Sequence, residues 1–272
     1  MRTVILLFFT IIIFTTEAYG GWKPLAPGMD LGTFPIKQLS PDDDVQITVL
    51  RLDPKHWELV LTGKSWDSKS ENQTAKEWCE KYKLTAAINA GMFGTDYTTH
   101  VGYLATKEHV NNGHVNKYLS VAAFAPKKRG GLPQFRIFDL DAPGVTMDTI
   151  LGDFYSVVQN LRLIKRPGVS RWSRQDRKWS EAALGEDSSG RILFMFSSWP
   201  LSMADFNREL LSAGIDLVAA QHLEGGPKAQ FYLRIGDMSY EMFGSYETTS
   251  REDDTIVNPW PIPNILGVRP RP

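Results

Sequence analysis

The sequence predicts an α+β fold: a single domain with a mixed or antiparallel β-sheet core and a few helices. Three observations carry that reading. Runs of strand character are numerous along the chain. Only two segments open with a helix-start pattern. No Pro-, Ser- or Gly-rich linker is long enough to split the chain in two.

Taken in order, Gln46 to Leu52 alternates as Gln-Ile-Thr-Val-Leu-Arg-Leu, which reads as a strand. Trp57 to Leu61 reads as its hairpin partner across the Asp53-Pro54 turn. Thr74-Ala75-Lys76-Glu77 has capping-box spacing, so a helix is expected from there to about Tyr82. Leu84 to Ile88 is a short apolar run, expected as a buried strand. Tyr118 to Ala125 and Gln134 to Asp139 read as paired strands around the solvated Lys127-Lys128-Arg129-Gly130-Gly131 loop. Leu151 to Leu163 fits helix or strand equally well. Arg191 to Phe196 is a strong strand. Ser202-Met203-Ala204-Asp205 starts a second helix, which Gly214 ends. Leu217 to Leu223 and Phe231 to Ile235 are further strands. Asn258-Pro259-Trp260-Pro261-Ile262-Pro263 reads as an extended cover, because its prolines disfavour regular structure.

The ends and the composition set limits. Residues 1–20 read as an export signal: Arg2, an apolar run from Val4 to Phe14, then small residues at Ala18 and Gly20. The alternative is an uncleaved anchor, although the run is short of the roughly 20 residues that a membrane helix needs. Residues 21–272 are expected as the mature domain, secreted or periplasmic, with no later transmembrane span. The net charge of −1 with mixed signs argues against nucleic acid as a partner. Cys79 is the only cysteine, so no intramolecular disulfide can form and the core alone must hold the fold.

Two turns resemble each other. Ile88-Asn89-Ala90-Gly91-Met92-Phe93 and His222-Leu223-Glu224-Gly225-Gly226-Pro227 each follow a short apolar run. Each sets a polar side chain beside glycine at a strand's end, where ligands commonly approach the main chain. Glu224 is the leading candidate acid or base, because a carboxylate desolvated there can have a raised pKa. Ordinary glycoside hydrolysis needs a second carboxylate, and Glu186 and Glu181 are the candidates. Asp187, in Asp-Ser-Ser-Gly, reads as a turn residue. His222 lies two residues before Glu224 and would share its strand face. Two roles fit Asn89: a hydrogen bond to a sugar hydroxyl or phosphate oxygen, or a tie within its own turn. Gly91, Gly225 and Gly226 would leave room for substrate, and Lys228 could reach an anion. Arg171, Arg174 and Arg177 form a local positive cluster, with Trp172 and Trp179 interleaved to stack on a sugar or to pack. No metal motif is present; a divalent ion held through Glu224 and Asp187 would be Ca²⁺ or Mg²⁺, since the donors are oxygens.

Ala87 to Phe93, Val101-Gly102-Tyr103 and Glu224-Gly225-Gly226 together resemble the phosphodiester glycosidase domain family, the uncovering-enzyme-like proteins. Trp179 to Asp187, Ala204-Asp205-Phe206-Asn207, Gly244-Ser245-Tyr246-Glu247-Thr248 and Trp260 to Asn264 resemble an exported bacterial branch of it. The resemblance implies a hydrolase acting on a glycosidic or sugar-phosphodiester bond of an envelope or extracellular glycan. A glycan-binding protein on the same fold, without catalysis, is the alternative. The family commonly carries Asn-Gly-Gly-Phe-Phe at the first turn and Leu-Asp-Gly-Gly-Gly-Ser at the second. Here Glu224 replaces the Asp, Pro227-Lys228 follows the glycines, and Glu181 stands where the family commonly has Arg.

Overall fold

In the computed structural model of the chain, residues 21–36, 45–67, 69–128, 130–173, 175–253 and 255–272 are described. The export signal expected over residues 1–20, and Arg174, lie outside the described residues. Three antiparallel sheets and three α-helices make one α+β domain.

The eight-stranded sheet runs, in spatial order, Trp22–Ala26, Met29–Pro35, Gln46–Leu52, Ile192–Leu201, Trp179–Asp187, Leu217–Gly225, Arg162–Lys165 and Val169–Ser170. One five-stranded sheet orders Met238–Phe243, Gln230–Ile235, Ala86–Asn89, Asn264–Pro270 and Trp57–Gly63. The other orders Val110–Asn112, Leu104–Ala105, Phe154–Asn160, Ser120–Pro126 and Phe135–Asp139.

The main core lies between the large sheet and the two small ones. Leu50, Leu184, Phe194 and Leu223 of the former meet Leu61, Ile88, Phe231 and Leu266 of one small sheet and Phe124, Phe135 and Val158 of the other. The opposite face of the large sheet carries Val49, Ala183, Leu193, Met195 and Ala220, which pack on the helix Met203–Ser212 through Met203, Phe206 and Leu210. The helix Ala75–Tyr82 covers Ala87, Tyr232 and Ile265. The helix Met147–Asp153 packs through Ile150 against Val121, Ala123 and Val157. Each helix therefore shields a sheet face that would otherwise meet water. No helix among the described residues is long and apolar enough to cross a membrane.

Local chemistry sets the helix starts. Thr74 and Glu77 form the reciprocal capping box, and Ser202 accepts from the Asp205 N–H. Gly214, at φ +70, turns the chain after the last helix. The ambiguous 151–163 stretch is both things in turn: the end of the Met147–Asp153 helix, then the strand Phe154–Asn160.

One pairing differs from expectation. Gln46–Leu52 and Trp57–Gly63 both form, but they are not hairpin partners. Gln46–Leu52 pairs with Met29–Pro35 and Ile192–Leu201, whereas Trp57–Gly63 pairs with Asn264–Pro270. The short turn carries the chain from one sheet to the other, and both strands gain a partner that buries an apolar face.

The tail is held by specific bonds. The Trp78 indole N–H donates to the Ile262 carbonyl at 2.9 Å, the Gln230 side-chain amide donates to the Trp260 carbonyl, and Gln73 pairs with Ile262. Trp78 is fully buried. Trp78→Phe removes one of the two donors to that carbonyl, leaving the Gln73 N–H at 3.4 Å, and creates a small cavity, a loss of about 1–3 kcal/mol. The expected outcome is a lower denaturant midpoint and faster hydrogen exchange across residues 260–264, with exchange at Phe194 unchanged at low denaturant.

Candidate active site

The site grows from two neighbouring strands in the middle of the large sheet. Trp179–Asp187 pairs antiparallel with Leu217–Gly225, setting Ala183 opposite His222, Ala182 opposite Glu224 and Glu181 opposite Gly225. The register slips between the first two pairs, so Leu223 is the extra residue of a bulge. Bulges redirect side chains and recur beside active sites. Strand alternation alone therefore does not place His222 and Glu224 on one face; their mutual electrostatic influence shows that they are near neighbours.

Glu181 and His222 form a buried pair, with His222 Nδ1 2.5 Å from Glu181 Oε1. The Trp179 indole N–H donates to the other Glu181 oxygen at 2.5 Å. Both carboxylate oxygens are thus engaged. The side chains are 5% and 1% exposed, so the pair must be satisfied internally. Burial disfavours the charged imidazole, but the Glu181 carboxylate outweighs it, and the His222 pKa is raised. The Trp179 ring also stands edge-on to the His222 ring, with centroids 6.1 Å apart.

Glu224 is strongly perturbed. Burial raises its pKa from 4.5 to about 7, against the lowering influence of His222, Lys228 and the Gly225 N–H. That N–H, at 3.2 Å from Oε1, is its one close donor among the described residues. A carboxyl with this pKa carries a proton about half the time at neutral pH and can give it to a leaving oxygen.

Glu247 is the residue that sequence reasoning missed. It influences both His222 and Glu224 electrostatically and bridges backbone to Trp179. A Cβ on Gly226, which sits at φ +60, would meet Glu247 Cβ at 2.8 Å. Its only sequence signal was a carboxylate within the short polar run Gly244 to Thr248, far from the two turns. Tyr118 was missed too; its phenol pKa is raised by burial and by Glu224.

The glycines serve the protein's own packing. A side chain on Gly225 would strike the Trp179 indole, at 2.5 Å from its Cδ1. One on Gly91, at φ +151, would collide with Asn160 and His100. Asn89 takes the tying role: its amide donates to the Lys228 carbonyl at 2.9 Å, and its carbonyl oxygen accepts from the Gln230 N–H at 2.7 Å. It fastens the first turn to the second. Lys228 Nζ stands over the rings of Phe93 and Tyr97, at 5.0 and 5.7 Å from their centroids.

Glu186 and Asp187 do not join Glu224. Glu186 pairs with Ala219, about 13 Å along the strand from the register position opposite Glu224. Its carboxylate is held by Arg136, Arg166 and the Ile137 N–H. Asp187 accepts from the Ser189 and Arg191 N–H groups and from the Arg191 guanidinium, so it organises its turn. An ion bridging Glu224 and Asp187 is thereby excluded by distance. Among the described residues no group of three or more His, Cys, Asp or Glu is arranged to hold a metal. Cys79 is buried, and burial pushes its thiol pKa up, which makes it unreactive.

The model of the phosphodiester glycosidase family matches residues 82–269, which contain every residue of this cluster. The chain belongs to the phosphodiester glycosidase family. No curated protein sequence matches it. The fold is similar to the catalytic domain of zebrafish N-acetylglucosamine-1-phosphodiester α-N-acetylglucosaminidase, auto-inhibited by its pro-peptide: TM-score 0.63, 13% identity, covering 94% of this chain and 85% of that one. It is also similar to a hypothetical protein from Synechocystis, with TM-score 0.61 and 12% identity over 94% of this chain and 64% of that one. Family membership supports a glycosidase type of function.

The raised pKa of Glu224 has a consequence for stability. The folded state holds this proton more tightly than the unfolded state, so stability falls as pH rises from about 4.5 to about 7 and stays lower above that. Glu224→Gln removes the effect. The variant is expected to match the wild type near pH 4 and to exceed it by roughly 3 kcal/mol at pH 8, read from denaturant unfolding at both pH values.

Proposed function

We propose that the chain is an exported hydrolase that cleaves a glycosidic or sugar-phosphodiester bond in an envelope or extracellular glycan. The observation that carries the reading is the buried Glu224 carboxyl, with a pKa of about 7, beside the Glu181–His222 pair. The leader-like pattern over residues 1–20 supports export.

In the proposed reaction Glu224 gives its proton to the leaving oxygen as the bond to the anomeric carbon breaks. Water adds to that carbon. The Glu247 carboxylate accepts the water's proton, a role that Glu181 cannot fill while both its oxygens are bound. The Glu181–His222 pair keeps an imidazolium in the site, which stabilises negative charge developing on the departing group. Asn89, Gly91, Gly225 and Gly226 keep the two turns and the bulged strand end in place around these groups.

Hydrolysis of a panel of sugar-1-phosphodiesters and aryl glycosides by residues 21–272, with and without Ca²⁺, tests this directly. Glu224→Gln should lower kcat/KM by about 10²–10⁴-fold, the usual worth of a general acid. Wild-type kcat/KM should fall about tenfold per pH unit above pH 7, as Glu224 loses its proton. Glu181→Gln leaves His222 buried without its counter-charge, so its pKa drops; the neutral imidazole no longer lowers the Glu224 pKa, and the alkaline limb should shift to higher pH. Full activity in Glu224→Gln would sink the reading. Glycan binding that survives Glu224→Gln, with no turnover of any compound by the wild type, would favour the non-catalytic alternative.

A further inference from the structure

The reacting centre is poorly equipped to hold an anion of the substrate. It assembles three carboxylates, Glu181, Glu224 and Glu247, around two cations. His222 is committed to Glu181, and Lys228 to the faces of Phe93 and Tyr97.

An adjoining cleft has the complementary character. It encloses about 210 Å³. Tyr118 lines it and also lies within electrostatic range of Glu224. Leu161 lines it, and its carbonyl accepts the His222 N–H at 2.9 Å. The cleft's lining thus adjoins the centre at two points, the His222 main chain through Leu161 and Glu224 through Tyr118. Trp172 forms one wall, its indole fixed by a 2.7 Å bond to the Arg162 carbonyl. Arg162 is neutralised by Asp139 and Asp141. Lys117 and Arg171 are exposed and have no carboxylate partner among the described residues. Two unpaired cations beside a fixed indole and a phenol suit a sugar ring bearing negative charge: the rings cover its apolar face, and the cations meet its anionic group.

We propose that this cleft is a subsite for an anionic sugar, in which Trp172 and Tyr118 pack on the ring and Lys117 and Arg171 hold a carboxylate or phosphoryl substituent. This rests on the reading of the Glu224 centre as a glycosidase and refines its substrate. The anionic group sits in the neighbouring subsite rather than at the bond that breaks, so the substrate is a glycoside carrying a uronate or a phosphorylated sugar.

Calorimetric titration of the intact 21–272 chain with glucuronate, glucose 6-phosphate and glucose tests it. Wild type and Glu224→Gln should both bind a charged probe at least tenfold tighter than glucose. Whichever charged probe binds tighter identifies the anion as carboxylate or phosphoryl. Lys117→Ala and Arg171→Ala, both at exposed positions, should each weaken the charged probe fivefold or more and leave glucose unchanged. Equal binding of charged and neutral probes, or binding of none at millimolar concentration, would overturn the proposal. So would a charge preference lost in Lys228→Ala but kept in Lys117→Ala and Arg171→Ala, which would return the anion to the reacting centre. Because binding is read in Glu224→Gln as well, the subsite can fail while the chemistry stands, and the reverse.

Discussion

The antiparallel pairing of Trp179–Asp187 with Leu217–Gly225 is the constraint on which the site depends. It joins Glu181 to His222 across two strands in the interior of a sheet, with apolar clusters on both faces. A charge in such a place is costly unless it is paired and hydrogen-bonded. Each acid on the first strand meets that demand differently. Glu181 uses His222 and Trp179, Glu186 uses two arginines and a backbone N–H, and Asp187 uses Arg191 and its own turn. Among the described residues Glu224 has one N–H at hydrogen-bonding distance, and burial raises its pKa to about 7. That scarcity of partners, rather than residue type, sets Glu224 apart from the three acids of the first strand.

Most of the fold was legible because local signals and tertiary packing agree there. The capping boxes and the alternation of Gln46–Leu52 are examples. Several strands were not legible, Trp22–Ala26, Met29–Pro35 and Met238–Phe243 among them, and two others show why. Trp179–Asp187 contains Ser, two Glu, Asp and Gly, residues of low strand propensity, yet eight of its nine residues run buried without break from Ser180 to Asp187. Only its partners on neighbouring strands make that composition tolerable, and they are distant in sequence. Asn264–Pro270 follows a Pro-rich stretch and was read as part of no element, although it lies second from the edge of its sheet, between Ala86–Asn89 and Trp57–Gly63. Its strand character comes from those two neighbours.

The site was legible in one part only. The turn carrying Glu224 announces itself through an apolar run that ends in an acid and two glycines. What those glycines do is a tertiary matter. Gly225 makes way for Trp179 and Gly226 for Glu247, neither of which adjoins the turn in sequence. Glu247 could not be ranked above other surface acids without that contact. Asn89 shows the converse: a residue of binding type whose donor and acceptor are both spent on joining the two turns.

The charge of Glu181 is best understood together with His222. A guanidinium at that position would bring a permanent positive charge to the sheet interior, with five N–H donors to satisfy. Glu181 with a protonated His222 brings a net charge of zero while keeping a cation next to Glu224. The cation is now titratable, and its proton depends on the carboxylate behind it. Two consequences follow from the same pair. The electrostatic support that the centre gives a departing group becomes sensitive to pH, and its capacity to hold a permanent anion falls. On the proposed reading Glu224 protonates the leaving oxygen, while fixed anions of the substrate are held where unpaired cations stand, beside Trp172 rather than at the broken bond.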